Sequence, residues 1–129
     1  MEKINLHINE KLRKLLGNPA SWPTQEYLDS INKKANENLE SIEKHSDSII
    51  SEFIDIPINK RMRESIIKSI VVFLFQYNND EFAVDIKSKD AADHIIRICY
   101  PRRKDYEEKI KNINDFAKAL KEIRHEYSK

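Results

Sequence analysis

The chain has 129 residues, 35% of them charged, a net charge of +1, one cysteine (Cys99) and one glycine (Gly17). Roughly nine glycines would be ordinary at this length. A chain with one lacks the Gly-rich loops that cradle phosphates in P-loop and dinucleotide-binding proteins, and is poorly supplied for the tight turns of a sandwich or barrel. Cys99 cannot close an internal disulfide, and a near-neutral charge gives no bulk attraction to nucleic acid or membrane.

A mass of 15.3 kDa predicts a single helical domain, residues 1–129. The N-terminal MEKINLHINEKLRKLL mixes charges among its apolar residues, unlike a secretory leader. The longest apolar run, IVVFLF at 70–75, falls far short of the ~20 residues that cross a bilayer. These features predict a soluble cytoplasmic protein with no membrane role. The abundance of Lys, Ile, Asn and Glu resembles the residue usage of AT-rich bacterial genes.

In chain order, Ile4, Ile8, Leu12, Leu15 and Leu16 recur at helical spacing, which predicts a helix over 3–16 ended by Gly17 and Pro19. GNPASWP, residues 17–23, reads as a connection whose Trp22 covers one end of the core. Thr24 is the expected N-cap of the next helix. Leu28, Ile31, Ala35, Leu39, Ile42, Ile49 and Phe53 then form a thin stripe interrupted by Ser46. The stripe predicts either one helix of about thirty residues or two with a break near Ser46–Ser48.

DIPI at 55–58 stops the pattern, because proline lacks an amide proton and restricts Ile56 before it. Asn59 is the next cap. Apolar residues at 62, 66, 67, 70, 71, 74 and 77 predict a helix over 60–77, widened by Val72, Phe73 and Phe75 into the most buried one. IVVFLFQY and EFAVDIK also satisfy a small β-hairpin over 70–87, since Phe82, Val84 and Ile86 alternate with charges. The helix is preferred because no Gly, Pro or turn cluster lies between Lys60 and Tyr77. Ser88 is the expected cap of a short helix over 89–99, which Pro101 ends. Residues 102–127 carry the cleanest amphipathic row: Tyr106, Ile110, Ile113, Phe116, Ala117, Leu120, Ile123 and Tyr127. The predicted fold is a mainly α single-domain bundle of about five helices.

Constellations for chemistry are sparse. His7, His45, His94 and His125 are scattered, and a single Glu-x-x-His pair, Glu122 with His125, does not make a di-metal site. Cys99 lies on an Ile-rich row, the setting of an inert buried thiol. No metal, cofactor or catalytic residue is assigned, and the chain is not read as an enzyme. The last turn, Arg124-His125-Glu126-Tyr127, resembles at His125 and Tyr127 the end of the Arg-spacer-His pattern of HEPN ribonucleases. Arg124 adjoins the histidine, and no arginine occupies the upstream position.

Charge is more informative when divided along the chain. Residues 24–58 hold three lysines against eight acids, a net of −5, whereas 59–129 hold sixteen bases against twelve acids, a net of +4. Glu37, Glu40, Glu43 and Asp47 recur at steps of three and four, which places them along one stripe. They are the expected partner-binding residues for a basic protein, since complementary potentials speed encounter and exclude wrong partners. The leading expectation is an immunity protein or antitoxin that neutralises a basic, nuclease-like toxin. Two basic groups, Lys60/Arg61/Arg63/Lys68 and Arg97/Arg102/Arg103/Lys104, give the alternative. That alternative is a nucleic-acid-binding helical module or degenerate HEPN-like ribonuclease working through Arg97, Arg102, Arg103, Arg124 and His125. A third expectation is a homodimer formed through the thin-striped helix.

Overall fold

A computed structural model describes residues 2–7, 24–76 and 80–127. Six α-helices are present among them: α1 (Gln25–Glu37), α2 (Leu39–Phe53), α3 (Lys60–Leu74), α4 (Glu81–Cys99), α5 (Arg103–Lys109) and α6 (Ile113–Tyr127). A single 3₁₀ turn, Ile110–Asn112, joins α5 to α6. The protein is a mainly α bundle, and no strand occurs among the described residues.

The predicted caps at the first two breaks hold. The Thr24 hydroxyl accepts from the Tyr27 amide at 3.2 Å, and Asn59 Oδ1 accepts from the Met62 amide at 2.8 Å. Each satisfies one of the amide donors that a helix start leaves unpaired. The break within residues 24–53 falls at Asn38, whose φ of −117° leaves the helical range, and not near Ser46–Ser48. Asn38 Nδ2 donates to the Lys34 carbonyl at 2.8 Å, so this side chain closes the end of α1.

α3 is the most buried helix, as the wide apolar row predicts. Ile66, Ile67, Ile70 and Val71 are all fully buried. α4 packs chiefly on α6 and α3, and its Ala92, Ile95 and Ile96 join Phe116, Ala117 and Leu120 of α6 in the core.

Four further expectations are corrected. The hairpin over 70–87 does not form, because EFAVDIK is the first part of α4. The alternation of Phe82, Val84 and Ile86 is real but does not bury one face, since Phe82 and Ile86 are 72% and 46% exposed. Ser88 is not a cap. It lies inside α4 with its hydroxyl donating to the Asp85 carbonyl at 2.8 Å, while Asp80 caps the helix by accepting from the Phe82 amide at 2.9 Å. The row 102–127 is divided by the 3₁₀ turn into α5 and α6.

The fourth correction concerns the N-terminus. Residues 2–7 are not helical, and their burial alternates as it does in an extended segment. Ile4 and Leu6 are buried while Asn5 and His7 are exposed, which is the period of two of a strand. The remainder of the predicted 3–16 helix, with Gly17, Pro19 and Trp22, lies outside the described residues.

Candidate interaction surface

The acidic stripe spans two helices. Glu37 ends α1, while Glu40, Glu43 and Asp47 lie on α2. α2 keeps this face outward because Ile42, Ser46 and Ile49 occupy its buried side. The structure brings Arg63 of α3 into the stripe. Its Nε and Nη2 donate to the two carboxylate oxygens of Asp47, each at 2.9 Å, and Nη1 reaches Glu43 Oε1 at 3.4 Å. The fork matches a carboxylate in plane and is the strong form of an ion pair. The guanidinium holds the Asp47 carboxyl below the usual carboxylate range, partly opposed by burial. Two of the four predicted partner-binding carboxylates are thus bound by the protein's own arginine. Glu40 meets Lys44 at 3.5 Å, a pair whose side chains are 88% and 78% exposed, and such pairs contribute little. Glu37 is exposed and has no ion-pair partner among the described residues.

Two of the four cations in the basic group at 97–104, Arg97 and Arg103, are engaged. Arg97 Nε donates to Asp93 Oδ2 at 2.9 Å, its Nη2 donates to the Tyr106 hydroxyl at 3.0 Å, and its guanidinium lies 4.2 Å from the Tyr106 ring centre. The Tyr106 hydroxyl in turn donates to Asp93. A parallel arrangement lies nearby. The Tyr100 hydroxyl accepts from the Asp55 amide at 3.0 Å and donates to the Asp55 carboxylate, which Lys109 also contacts at 2.5 Å. Lys109 lowers the Asp55 pKa, burial is the main cause raising that of Tyr100, and the hydrogen bond to Asp93 raises that of Tyr106. Both phenols therefore stay protonated at neutral pH. Arg97, Tyr100, Pro101, Arg103, Tyr106 and Glu107 line an open cleft of about 510 Å³. Arg103 pairs with Glu107 at 2.8 Å. Arg102 and Lys104 are exposed without ion-pair partners among the described residues.

Arg124 and His125 do not converge. Arg124 is only 7% exposed and donates to the Phe73 and Gln76 carbonyls at 3.0 and 2.9 Å, whereas His125 faces outward. Arg124 thereby serves the C-terminal end of α3. Cys99 is buried, and burial pushes its thiol up to about 11, so it supplies almost no thiolate at neutral pH. Among the described residues no group of three or more His, Cys, Asp or Glu side chains forms a metal site, and no helix is long and apolar enough to cross a membrane.

Two features escaped the sequence reading. Arg63 belongs by sequence to the basic group at 60–68, and only the packing of α3 on α2 turns it toward Asp47. Asn32 carried a legible signal. It lies on the stripe Leu28–Ile31–Ala35, where a buried amide needs a partner. Comparison with protein families, with characterised proteins and with solved structures returned no match.

Proposed function

We propose that this chain is a small interaction protein that covers a basic partner with the acidic edge of α1 and α2. In its most specific form it is a bacterial cytoplasmic immunity protein or antitoxin that neutralises a nuclease-like toxin. The observation that carries the reading is the division of charge. Residues 24–58 hold a net of −5 from three lysines and eight acids, and Glu26, Asp29, Glu37, Glu40 and Glu52 all stand exposed there. Arg63 reduces the field but fixes Glu43 and Asp47 in place. The Asp47 side chain stays 52% exposed, so its carboxylate still faces outward in a fixed pose. A carboxylate already held in one rotamer loses less entropy on binding than a loose one. Glu37 and Glu40 are both exposed and stand outside the Arg63 fork.

The test is co-purification and titration against a basic protein encoded next to this chain. Glu37→Lys with Glu40→Lys leaves the Arg63 fork intact and is expected to weaken binding at least roughly tenfold, mainly through a slower on-rate and a shallower salt dependence. Unchanged affinity and unchanged salt dependence would refute the acidic-edge mechanism.

A second reading, nucleic-acid binding, is favoured by one observation: two tyrosines and two arginines line the same cleft. It ranks below the first because Glu107 lines the same cleft and a net charge of +1 is weak for a phosphate binder. A gel shift at low salt, where phosphate contacts are strongest, decides it.

A further inference from the structure

The N-terminal segment is held in an unusual way. Asn36 Oδ1 accepts from the Ile4 amide at 2.7 Å while Asn36 Nδ2 donates to the Ile4 carbonyl at 2.9 Å. One turn earlier Asn32 repeats the arrangement with Leu6: its Oδ1 accepts from the Leu6 amide at 2.7 Å and its Nδ2 donates to the Leu6 carbonyl at 3.2 Å. Gln25 Nε2 adds a weaker contact to the Leu6 carbonyl at 3.4 Å. A carboxamide presents one acceptor and one donor side by side, as a peptide group does. Two asparagines at i and i+4 therefore turn one face of α1 into a substitute strand edge. Alternate residues of the docked segment pair with it. Their side chains, Ile4 at 2% and Leu6 at 7% exposure, enter the main core.

This is the recognition logic of strand addition. Backbone pairing holds any extended segment, and pockets for alternate side chains select among them. We propose that Asn32 and Asn36 form an extended-peptide site whose second occupant, besides the chain's own residues 4–6, is the same segment of another copy, giving a reciprocally strand-exchanged dimer. Two points favour a second copy over an unrelated peptide. Ile4 and Leu6 each pair their amide and carbonyl with one asparagine's Oδ1 and Nδ2, and every copy carries them. The contacts are the same within one chain or between two, so exchange costs little beyond association itself.

The test uses full-length chains. One variant carries Ile4→Asp with Leu6→Asp, which spoils the segment and keeps the receptor. The other carries Asn32→Ala with Asn36→Ala, which spoils the receptor and keeps the segment. Each alone is expected to sediment as a monomer of 15.3 kDa. Mixed in equal amounts, they are expected to form a one-to-one complex of twice that mass, with a higher unfolding temperature than either alone. A mixture that behaves as the sum of its parts would overturn the proposal. If either variant fails to fold, unaltered chains with and without a C-terminal affinity tag are equilibrated at high concentration just below the unfolding temperature, then diluted and captured. Co-capture of the untagged chain that is competed away by excess peptide of residues 2–7 supports exchange. Absence of co-capture, or co-capture that the peptide leaves unchanged, overturns it.

Discussion

The Arg124 guanidinium donates through Nη1 to the Phe73 carbonyl oxygen at 3.0 Å, across fifty-one residues of chain, and through Nη2 to the Gln76 carbonyl at 2.9 Å. A helix end leaves its last carbonyls without intrahelical donors and carries partial negative charge. α3 ends on a buried flank of the core, where those carbonyls need a partner from the protein. Arg124 reaches them from α6 with its guanidinium 5.2 Å from the Phe73 ring centre. Burial lowers its pKa from a very high starting value, and an arginine so placed remains charged. Arg124→Met keeps much of the apolar stem and removes both donors. It is expected to cost about 2–3 kcal/mol and to lower Tm by roughly 10 °C, read by thermal and urea unfolding. Arg124→Lys keeps the charge without the fork and should recover only part of the loss.

Arg63→Ala separates α2 from α3 electrostatically. The pair is partly solvated, with Arg63 at 31% and Asp47 at 52% side-chain exposure, so the expected loss is about 1 kcal/mol after allowing for solvent screening. The acid dependence has a definite sign. Asp47 is held below its ordinary value of 3.8 by Arg63. Its contribution is therefore complete above that value and disappears as pH falls through the lower folded-state value. Urea unfolding at pH 7 and pH 3 checks this: the gap between wild type and Arg63→Ala should narrow at the lower pH.

Ser46 is fully buried, and its hydroxyl has no hydrogen-bond partner among the described residues. A buried polar group without a partner keeps the cost of desolvation and gains nothing in return. Alanine is close in size and a better helix former in the middle of α2. Ser46→Ala is thus expected to stabilise the protein by about 1 kcal/mol, the reverse of the usual effect of a core substitution. A lower or unchanged urea midpoint would show that the hydroxyl has a compensating contact.

Cys99 gives a chemical readout of the same core. Its thiol, raised to about 11 by burial, should react with a thiol reagent orders of magnitude more slowly than the unfolded chain does at pH 8. Above its ordinary value of 9.0 the unfolded chain ionises this thiol while the folded one retains the proton. Stability attributable to Cys99 is therefore complete below pH 9 and declines as pH rises toward about 11. Cys99→Val should remove that part of the alkaline decline, measured as the difference between the two unfolding midpoints across the window.

The residues that were legible and those that were not divide by the range of their interactions. Thr24 and Asn59 were readable as caps because a cap bonds an amide two or three positions away. Ile66, Ile67, Ile70 and Val71 were readable as a buried row because periodicity is local. Ser88 and the alternation Phe82–Val84–Ile86 misled for the same reason: three alternating residues satisfy a strand, and only the continuing stripe through Ala92, Ile95 and Ile96 makes the segment helical. The acidic stripe was visible as spacing, but its partial neutralisation was not. Arg63 is sixteen residues from Asp47, on another helix.

Residue spacing alone determined that the body is helical, that Thr24 and Asn59 begin two of its helices, and which helix is the most buried, because hydrogen bonding and apolar periodicity act over a single turn or two. Tertiary packing decided which carboxylates Arg63 binds, that Arg124 closes α3, and that residues 4–6 lie against Asn32 and Asn36. Those outcomes depend on donors and acceptors brought together from distant parts of the chain, and no local pattern encodes which of them will meet.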